Sequence, residues 1–253
     1  MLRYPQTRDL LRKMALDAPP TRDFTAALRR NDGGIAVIGE LKRRSPSKGD
    51  LAPDLDPGPT AKAYEAGGAV ALSVLTDEPY FGGTVADLQA ARDATTLPCL
   101  RKDFTIDEIQ VYESRAIGAD AILLIVSAIR DDSLLADLHS LAVSLGLGVL
   151  VEAHDAHEVE RALQAGAHVV GINSRDLSTF VEDLGRATAL STSIPSAAIA
   201  VAESAIRSAD DSRRLAAAGF DAILVGEALV RADDPRALVR ELADAPVTRR
   251  SPA

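Results

Sequence analysis

The sequence predicts a single α/β domain, a (β/α)₈ TIM barrel preceded by a helical extension. Short runs rich in Val, Ile and Leu recur eight times, and none alternates polar with apolar residues. Such runs are typical of parallel strands that are buried on both faces. Amphipathic helical segments separate the runs, and eight βα units in about 250 residues match the size of a closed barrel. An open, doubly wound sheet is the structural alternative.

The strand candidates follow one another along the whole chain. In order they are AVIGEL (36–41), AVALSVL (69–75), LPCLR (97–101), DAILLIV (120–126), LGVLVE (147–152), HVVGIN (168–173), AAIAVAES (197–204) and DAILVG (221–226). Several of the helical segments between them begin at Asp, Ser or Thr and end at Gly, as in DAHEVERALQAG. These are the residues that favour helix N-caps and C-termini.

The chain ends are expected to lie outside the barrel. Residues 1–34 contain two helix-like pieces, TRDLLRKMAL and TRDFTAALRR, which we expect to form an N-terminal helical extension. The barrel itself is predicted over residues 35–245. Residues 246–253, PVTRRSPA, are expected to be a flexible tail, because chain ends fray unless they are tied down.

Composition excludes several classes of partner. The chain has 28 Lys and Arg against 37 Asp and Glu, a net charge of −9, which argues against nucleic acid or an anionic membrane as partner. No run reaches the roughly 18 apolar residues of a membrane helix, and the charged N-terminus does not resemble a signal peptide. We expect a cytoplasmic protein that is a monomer or a weak oligomer.

Neither a metal nor a cofactor is expected. The single cysteine, Cys99, lies in an apolar run and is interpreted as a core residue, which excludes a disulfide framework. The four histidines lack the spacing of a metal site and are interpreted as surface or packing residues: His139, His154, His157 and His168. No glycine-rich dinucleotide motif or Walker motif occurs.

Ionisable or hydrogen-bonding residues stand at most of the predicted strand ends. Barrels place their active sites at the C-terminal ends of the strands, so these side chains are expected to converge on one mouth. Lysines among glutamates can act as acids, because each carboxylate keeps a lysine charged and oriented. The positions are Glu40, Lys42, Ser73, Lys102, Glu152, Asn173, Arg175, Glu203, Ser204, Gly226 and Glu227.

Eight motifs carry a family resemblance, in the right order and across all eight units. They are ELKRRSPSKG, LTDEPYFGG, LRKDF, GADAILLIV, LVEAHD, GINSRDL, VAES and LVGEALVRADDP. Over residues 35 to about 240 the chain resembles the indole-3-glycerol phosphate synthases of tryptophan biosynthesis. The resemblance implies a carboxy-lyase that converts 1-(2-carboxyphenylamino)-1-deoxyribulose 5-phosphate to indole-3-glycerol phosphate. Carbon dioxide and water leave, and no cofactor is required.

The resemblance also implies a role for each residue that matches a family motif. Lys102 would be the acid that acts on the substrate carbonyl, and Glu152 the catalytic glutamate. Lys42 would bind the substrate carboxylate, with Glu40 as its partner.

The remaining matches concern the orientation and binding of the substrate. Asn173 and Ser204 would orient it and complete the catalytic set. Phe81 and Leu124 would form an apolar wall for the anthranilate ring. For Glu203 no role is implied. The expected substrate- and phosphate-binding positions are Ser45, Phe81, Leu124, Arg175, Glu203, Ala205, Gly226 and Glu227.

Two departures from the family pattern affect the substrate-binding rim. The chain has AESAI where the family usually has AESGI, so Ala205 replaces a glycine, and a Cβ is added where the family would use glycine for a left-handed backbone or a close approach to phosphate. The segment before the first strand is also shorter than is common. Both are expected to affect affinity more than reaction type.

Three functional alternatives stand beside this prediction. Phosphoribosylanthranilate isomerase is a related phosphate-binding barrel, but it relies on a Cys/Asp pair at strand ends, and Cys99 lies in mid-run. A binding paralogue without turnover is disfavoured because Lys42, Lys102 and Glu152 are all present. A paralogue in a specialised indole pathway would have the same chemistry, and the sequence does not separate it from the primary pathway.

Overall fold

The computed structural model of the chain describes residues 5–30, 32–175, 183–248 and 250. Within them, eight parallel strands form a closed barrel in which β8 pairs with β1. The predicted barrel is confirmed, and the open sheet is excluded. The strands are β1 (Ala36–Leu41), β2 (Ala71–Leu75), β3 (Cys99–Lys102), β4 (Ala121–Ile125), β5 (Gly148–Ala153), β6 (Val169–Asn173), β7 (Ile199–Glu203) and β8 (Ala222–Val225).

Helices precede the barrel and follow each strand. Three of them begin with a complete capping box, at Thr84, Asp107 and Ser208, which satisfies backbone N–H groups of the first turn. In chain order the helices are α1 (Pro5–Asp17), α2 (Phe24–Ala27), α3 (Pro57–Gly67), α4 (Glu78–Phe81), α5 (Val85–Ala94), α6 (Glu108–Ala116), α7 (Asp132–Ser144), α8 (Ala156–Gln164), α9 (Leu184–Leu190), α10 (Ala209–Ala217), α11 (Glu227–Val230) and α12 (Pro235–Ala243).

The residues before β1 close the end of the barrel opposite the strand C-termini. Phe24 and Leu28 are buried among the inward-facing side chains at the strand N-termini. A Cβ on Gly148 would lie only 2.9 Å from the Phe24 Cβ, so the glycine at the start of β5 makes room for this plug. Helix α1 packs along α6, and Arg12 pairs with Glu108 at 3.0 Å.

Side chains alternate along each strand between the barrel interior and the layer of helices. On β4, Leu123 and Ile125 point into the interior, whereas Leu124 packs in the outer layer. The core therefore has an inner part inside the barrel and an outer part between the strands and the helices. Only residues that face inward can reach the mouth of the barrel.

Part of the segment expected as a flexible tail contacts the barrel. Val247 donates its backbone N–H to Gly33 and Thr248 donates to Ala216, both at 2.9 Å. The Arg250 guanidinium lies 2.9 Å from the Asp221 carboxylate. Residues 249 and 251–253 lie outside the described residues, and the boundary at 246 stays a prediction. Among the described helices, none is long and apolar enough to cross a membrane.

Candidate active site

A cavity of about 850 Å³ opens at the C-terminal ends of the barrel strands. The six predicted catalytic residues line it together with six of the predicted binding residues. Only Ser45 and Leu124 of the predicted set do not line it. The lining positions are Glu40, Lys42, Lys102, Glu152, Asn173, Ser204, Phe81, Arg175, Glu203, Ala205, Gly226 and Glu227.

The prediction that Leu124 forms part of the apolar wall for the anthranilate ring is wrong. Its side chain is fully buried in the outer layer, because strand alternation turns it toward the helices. Leu123 and Ile125, its two neighbours on β4, line the cavity instead. Ser45 is buried beside the cavity, where Pro46 contributes to the lining, so its predicted phosphate contact stays a prediction.

Four charged side chains form the uppermost layer inside the barrel. Each layer of a TIM barrel takes its side chains from alternate strands, and here β1, β3, β5 and β7 contribute. One layer below, the same strands carry Ile38, Leu100, Leu150 and Val201, each two residues earlier. The charged layer is Glu40, Lys102, Glu152 and Glu203.

The Lys102 ammonium lies between two carboxylates. Its Nζ donates to Glu152 Oε2 at 2.9 Å and to Glu203 Oε2 at 3.1 Å. The lysine side chain is 14% exposed, and the two glutamates are 3% and 2% exposed. Such little contact with water strengthens the charge–charge interactions.

Two glycines make room for the buried carboxylates. A Cβ on Gly171 of β6 would lie 2.1 Å from Glu203 Oε1, and a Cβ on Gly226 would lie 2.3 Å from Glu40 Oε1. Both contacts are shorter than any that real Cβ atoms make. A side chain at either position would therefore displace a carboxylate from the layer.

The pKa values of Glu203, Glu152 and Lys102 shift in different directions. Burial raises the pKa of Glu203 to about 8; Lys102 opposes this rise and the Glu152 charge adds to it. Burial alone would also raise the pKa of Glu152, but the Lys102 charge and the Asn173 hydrogen bond hold it below its usual range. Burial alone would lower the pKa of Lys102, but the charges of Glu152, Glu203 and Glu40 raise it above its ordinary value. Near neutral pH, Glu203 therefore stores a proton beside a charged lysine and an ionised Glu152.

A second pair lies at the C-terminal end of β1, with Glu40 in the strand and Lys42 just after it. Lys42 Nζ donates to Glu40 Oε1 at 2.6 Å, and Ser73 of β2 donates to Glu40 Oε2 at 3.4 Å. Ser73 is fully buried, so it fixes the carboxylate from below. The sequence places Glu40 and Lys42 two residues apart on a strand, which puts them on one face.

The rim carries polar groups from β6 and β7. Asn173 donates to Glu152 Oε1 at 3.0 Å, and its own oxygen accepts the Arg175 backbone N–H at 3.0 Å. Arg175 reaches across the mouth to donate to Ser47 Oγ at 2.8 Å. After β7, Ser204 and Ala205 have φ of 66° and 62°, so the suspected left-handed backbone at Ala205 is confirmed.

The end of β8 carries a carboxylate with two cations. Glu227 Oε1 lies 3.6 Å from Lys48 Nζ and 3.7 Å from Arg231 Nε. A phosphate cannot share the Glu227 carboxylate, because like charges repel. Any contact from Glu227 to a phosphate would come from its backbone N–H.

Cys99 does not contribute to the site. It packs in the outer layer, where burial and, to a lesser extent, the Asp120 charge raise the pKa of its thiol to about 12. This excludes the Cys-based isomerase chemistry considered above. Across the part of the chain that the structure describes, no group of three His, Cys, Asp or Glu side chains could hold a metal ion.

Sequence reasoning missed three kinds of participant. Ser73 was recognised only as a strand end, and Leu123 and Ile125 were missed because the phase of β4 was misjudged. His154 was interpreted as a surface or packing residue, yet its Nε2 lies 3.5 Å from Glu152 Oε1. The available signal was its position two residues after Glu152, on the same side of the extended chain.

Comparison with known proteins gives consistent results. A family model described as indole-3-glycerol phosphate synthase matches residues 3–242. Indole-3-glycerol phosphate synthase 2 of Streptomyces coelicolor is 49% identical, over 94% of this chain and 91% of its own length. The indole-3-glycerol phosphate synthase of Micrococcus luteus is 48% identical, over 97% of this chain and 94% of its own length.

Two solved structures share the fold. Thiamine phosphate pyrophosphorylase from Pyrococcus furiosus has a TM-score of 0.62 at 19% identity, covering 84% of this chain and 96% of its own. The 3-hexulose-6-phosphate synthase from Salmonella typhimurium has a TM-score of 0.64 at 16% identity, covering 83% of this chain and 97% of its own. At these identities the likeness supports the TIM barrel alone.

The raised pKa of Glu203 makes folding stability depend on pH. Glutamates in an unfolded chain have a pKa of about 4.3, so the folded protein binds this proton more tightly. The contribution of Glu203 is therefore largest below about pH 4.3 and declines as the pH rises to about 8. Glu203→Gln removes the decline. Its free energy of unfolding, measured in urea from about pH 5 to about pH 8, should increase relative to wild type as pH rises.

The matched control for this measurement is Glu241→Gln, which changes an exposed carboxylate on α12. It measures the effect of removing one surface carboxylate, with which the effect of Glu203→Gln is compared. A difference between Glu203→Gln and wild type that does not change with pH would show that Glu203 is already ionised near neutral pH.

Proposed function

The chain belongs to the indole-3-glycerol phosphate synthase family, and on that premise we propose how its barrel mouth carries out the reaction. It is a carboxy-lyase of tryptophan biosynthesis. The substrate is 1-(2-carboxyphenylamino)-1-deoxyribulose 5-phosphate, and the product is indole-3-glycerol phosphate. The observation that carries the proposal is the Lys102 ammonium between Glu152 and Glu203 at the base of the cavity.

Ring closure is the step assigned to Lys102. The ring carbon that bears the carboxylate attacks the substrate carbonyl, and negative charge develops on the carbonyl oxygen. Lys102 donates a proton to that oxygen, which becomes a hydroxyl group. Glu203, 3.1 Å from Nζ, then returns its stored proton to the lysine. This gives Glu203 a role that the sequence left open.

Loss of carbon dioxide is assigned to the Glu40–Lys42 pair. After ring closure the positive charge on the substrate nitrogen accepts the electron pair of the breaking C–C bond, which restores the aromatic ring. Lys42 holds the carboxylate until it leaves as a neutral molecule. The ammonium then returns to Glu40, its partner at 2.6 Å in the free protein.

Dehydration requires an acid and a base on the same intermediate. Lys102 protonates the hydroxyl group, which leaves as water. Glu152 removes a proton from the neighbouring carbon, and that electron pair becomes the new double bond of the pyrrole ring. Asn173, bonded to Glu152 Oε1 at 3.0 Å, keeps the carboxylate in position for this transfer.

Binding of the two ends of the substrate is assigned to opposite parts of the rim. Phe81, Leu123 and Ile125 provide the apolar wall for the anthranilate ring. The backbone of residues 205, 226 and 227 is proposed to contact the phosphate, with Ser45 nearby and the cations of Lys48 and Arg231 at the rim. Ser204 and Arg175 are proposed to orient the sugar and the carboxylate. A monomeric or weakly oligomeric state, cytoplasmic location and the lack of a nucleic-acid partner stay predictions from sequence.

The direct test supplies the purified protein with the substrate and follows indole fluorescence. Lys102→Ala should lower kcat by about 10²–10⁴-fold, because the proton donor for ring closure is lost. The control is Lys62→Ala, which removes an exposed lysine on α3 and should leave kcat unchanged. Lys102→Ala with more than about a tenth of wild-type kcat would contradict the assignment.

Gly171→Ala tests whether the position of Glu203 matters. The new methyl group would occupy the space of Glu203 Oε1 and move the carboxylate away from Lys102. A displacement of about 1 Å should lower kcat by up to about 10²-fold, with circular dichroism unchanged. In the control Gly58→Ala the nearest atom to the added Cβ is 3.8 Å away, and activity should be retained. Equal activities of the two variants would remove Glu203 from the mechanism.

Ala205→Gly tests the departure from the family pattern at the phosphate end. Ala205 has φ of 62°, where a residue with a Cβ is strained by about 1–2 kcal/mol. Glycine should relieve the strain and raise kcat/KM a few-fold, mainly through KM, because the phosphate is remote from the reacting atoms. Ala205→Val should act in the opposite direction. Steady-state kinetics decides, and a kcat/KM that glycine leaves unchanged would refute this explanation.

A further inference from the structure

We propose that His154 is the terminal proton acceptor for Glu152 in the dehydration step, so that the base of this enzyme is a Glu152–His154 dyad. The inference rests on the proposed function, because it concerns the fate of the proton that Glu152 removes from carbon. It assigns a task to a histidine that the motif LVEAHD contains but to which the family resemblance gave no role.

The His154 ring is oriented by the first turn of α8. Its Nδ1 lies 3.0 Å from Glu158 Oε2, and the same oxygen accepts the His154 backbone N–H at 2.7 Å. Glu158 in turn donates its own backbone N–H to the N-cap Asp155 at 2.8 Å. The helix cap, the glutamate and the ring thus form one connected unit.

This orientation decides which ring nitrogen faces the active site. A carboxylate can only accept, so the Nδ1 that bonds to Glu158 carries a hydrogen. The other nitrogen, Nε2, then has a free lone pair when the ring is neutral. Nε2 is buried, has no hydrogen-bond partner among the described residues, and lies 3.5 Å from Glu152 Oε1.

Glu152 needs such a neighbour to act as a base. Lys102 and Asn173 hold its pKa below the usual range, so the carboxylate alone is a weak acceptor for a proton from carbon. His154 Nε2 has a free lone pair 3.5 Å from Glu152 Oε1, and a neutral imidazole nitrogen can accept a proton from a carboxyl group. A proton that reaches Glu152 can therefore pass on to Nε2.

The transfer balances in atoms and charge. The C–H bond breaks, its electron pair forms the C=C bond, and the proton moves to Glu152. The proton then passes from Oε1 to His154 Nε2, so Glu152 is again a carboxylate beside the Lys102 ammonium. The imidazolium is stabilised by Glu158 and holds the proton on its buried Nε2 until the product leaves. The proton then returns through Glu152, which lines the cavity, to water that enters the site.

The charged groups around the ring are compatible with this role. Glu152 on β5 and Glu158 on α8 face its two nitrogens. The Lys102 ammonium on β3 lies beyond Glu152 and contacts its other oxygen at 2.9 Å. Because His154 acts through Glu152, it is a positioning residue rather than one that touches the substrate.

The test is the pH dependence of kcat in His154→Gln, which keeps a polar side chain but cannot take up the proton. Wild-type kcat should fall on the acid side, because a proton already on Nε2 blocks the transfer. In the variant we expect kcat at the plateau to fall about 10-fold, KM to change little, and the acid limb to move to lower pH. Glu158→Gln, which keeps the imidazole, should move the acid limb in the same direction with a smaller loss.

The matched control is His157→Gln on the exposed face of α8, which should keep the wild-type profile. A wild-type acid limb in His154→Gln would overturn the dyad, whether or not kcat fell, because a packing role alone would not set that limb. Absence of product from the wild-type protein would instead contradict the proposed function, so the two failures are distinguishable.

Discussion

The ion cluster of Lys102, Glu152 and Glu203 is the interaction on which the mouth of the barrel depends. An isolated buried ammonium would tend to lose its proton, and two buried carboxylates without a cation would both tend to gain one. Placing the lysine 2.9 and 3.1 Å from the two glutamates keeps three ionisable groups inside the barrel. The arrangement leaves one proton on Glu203, at a pKa of about 8, next to the group proposed to donate it. The same contacts thus set the protonation states of the cluster and position the proposed proton donor.

Barrel geometry explains why these residues stand where they do. Inward-facing side chains recur at every second residue of a strand, so the layer of Ile38, Leu100, Leu150 and Val201 is followed by the layer of ionisable side chains at the strand ends. The even strands supply Gly171, and the end of β8 supplies Gly226, where larger side chains would collide with carboxylates. The site therefore requires large ionisable side chains on some strands and glycines on the neighbouring strands. A single motif would not suffice to form it.

The fold and most of the site could be predicted from sequence because their signals are local. Apolar runs, helix caps and charged strand ends identify the barrel and ten of the twelve predicted positions that line the cavity, and the other two, Phe81 and Ala205, were predicted from the family resemblance. Leu124 was misplaced because a run of apolar residues does not reveal which of them face inward. His154 was missed because the role of a histidine depends on neighbours from a helix that begins after it. The left-handed backbone at Ala205 was suspected only because a glycine was expected there, and φ itself is a property of the folded turn.

The most direct measurement is a crystal structure with a substrate analogue in which the carbonyl group is reduced to an alcohol, so that ring closure cannot occur. We expect the Lys102 Nζ within about 3 Å of the alcohol oxygen, the carboxylate on Lys42, and the phosphate at the backbone of residues 205, 226 and 227. Glu203 should stay close enough to Lys102 to return a proton. An analogue whose alcohol lies away from Lys102, with the lysine still bonded to both glutamates, would contradict the central role of this cluster.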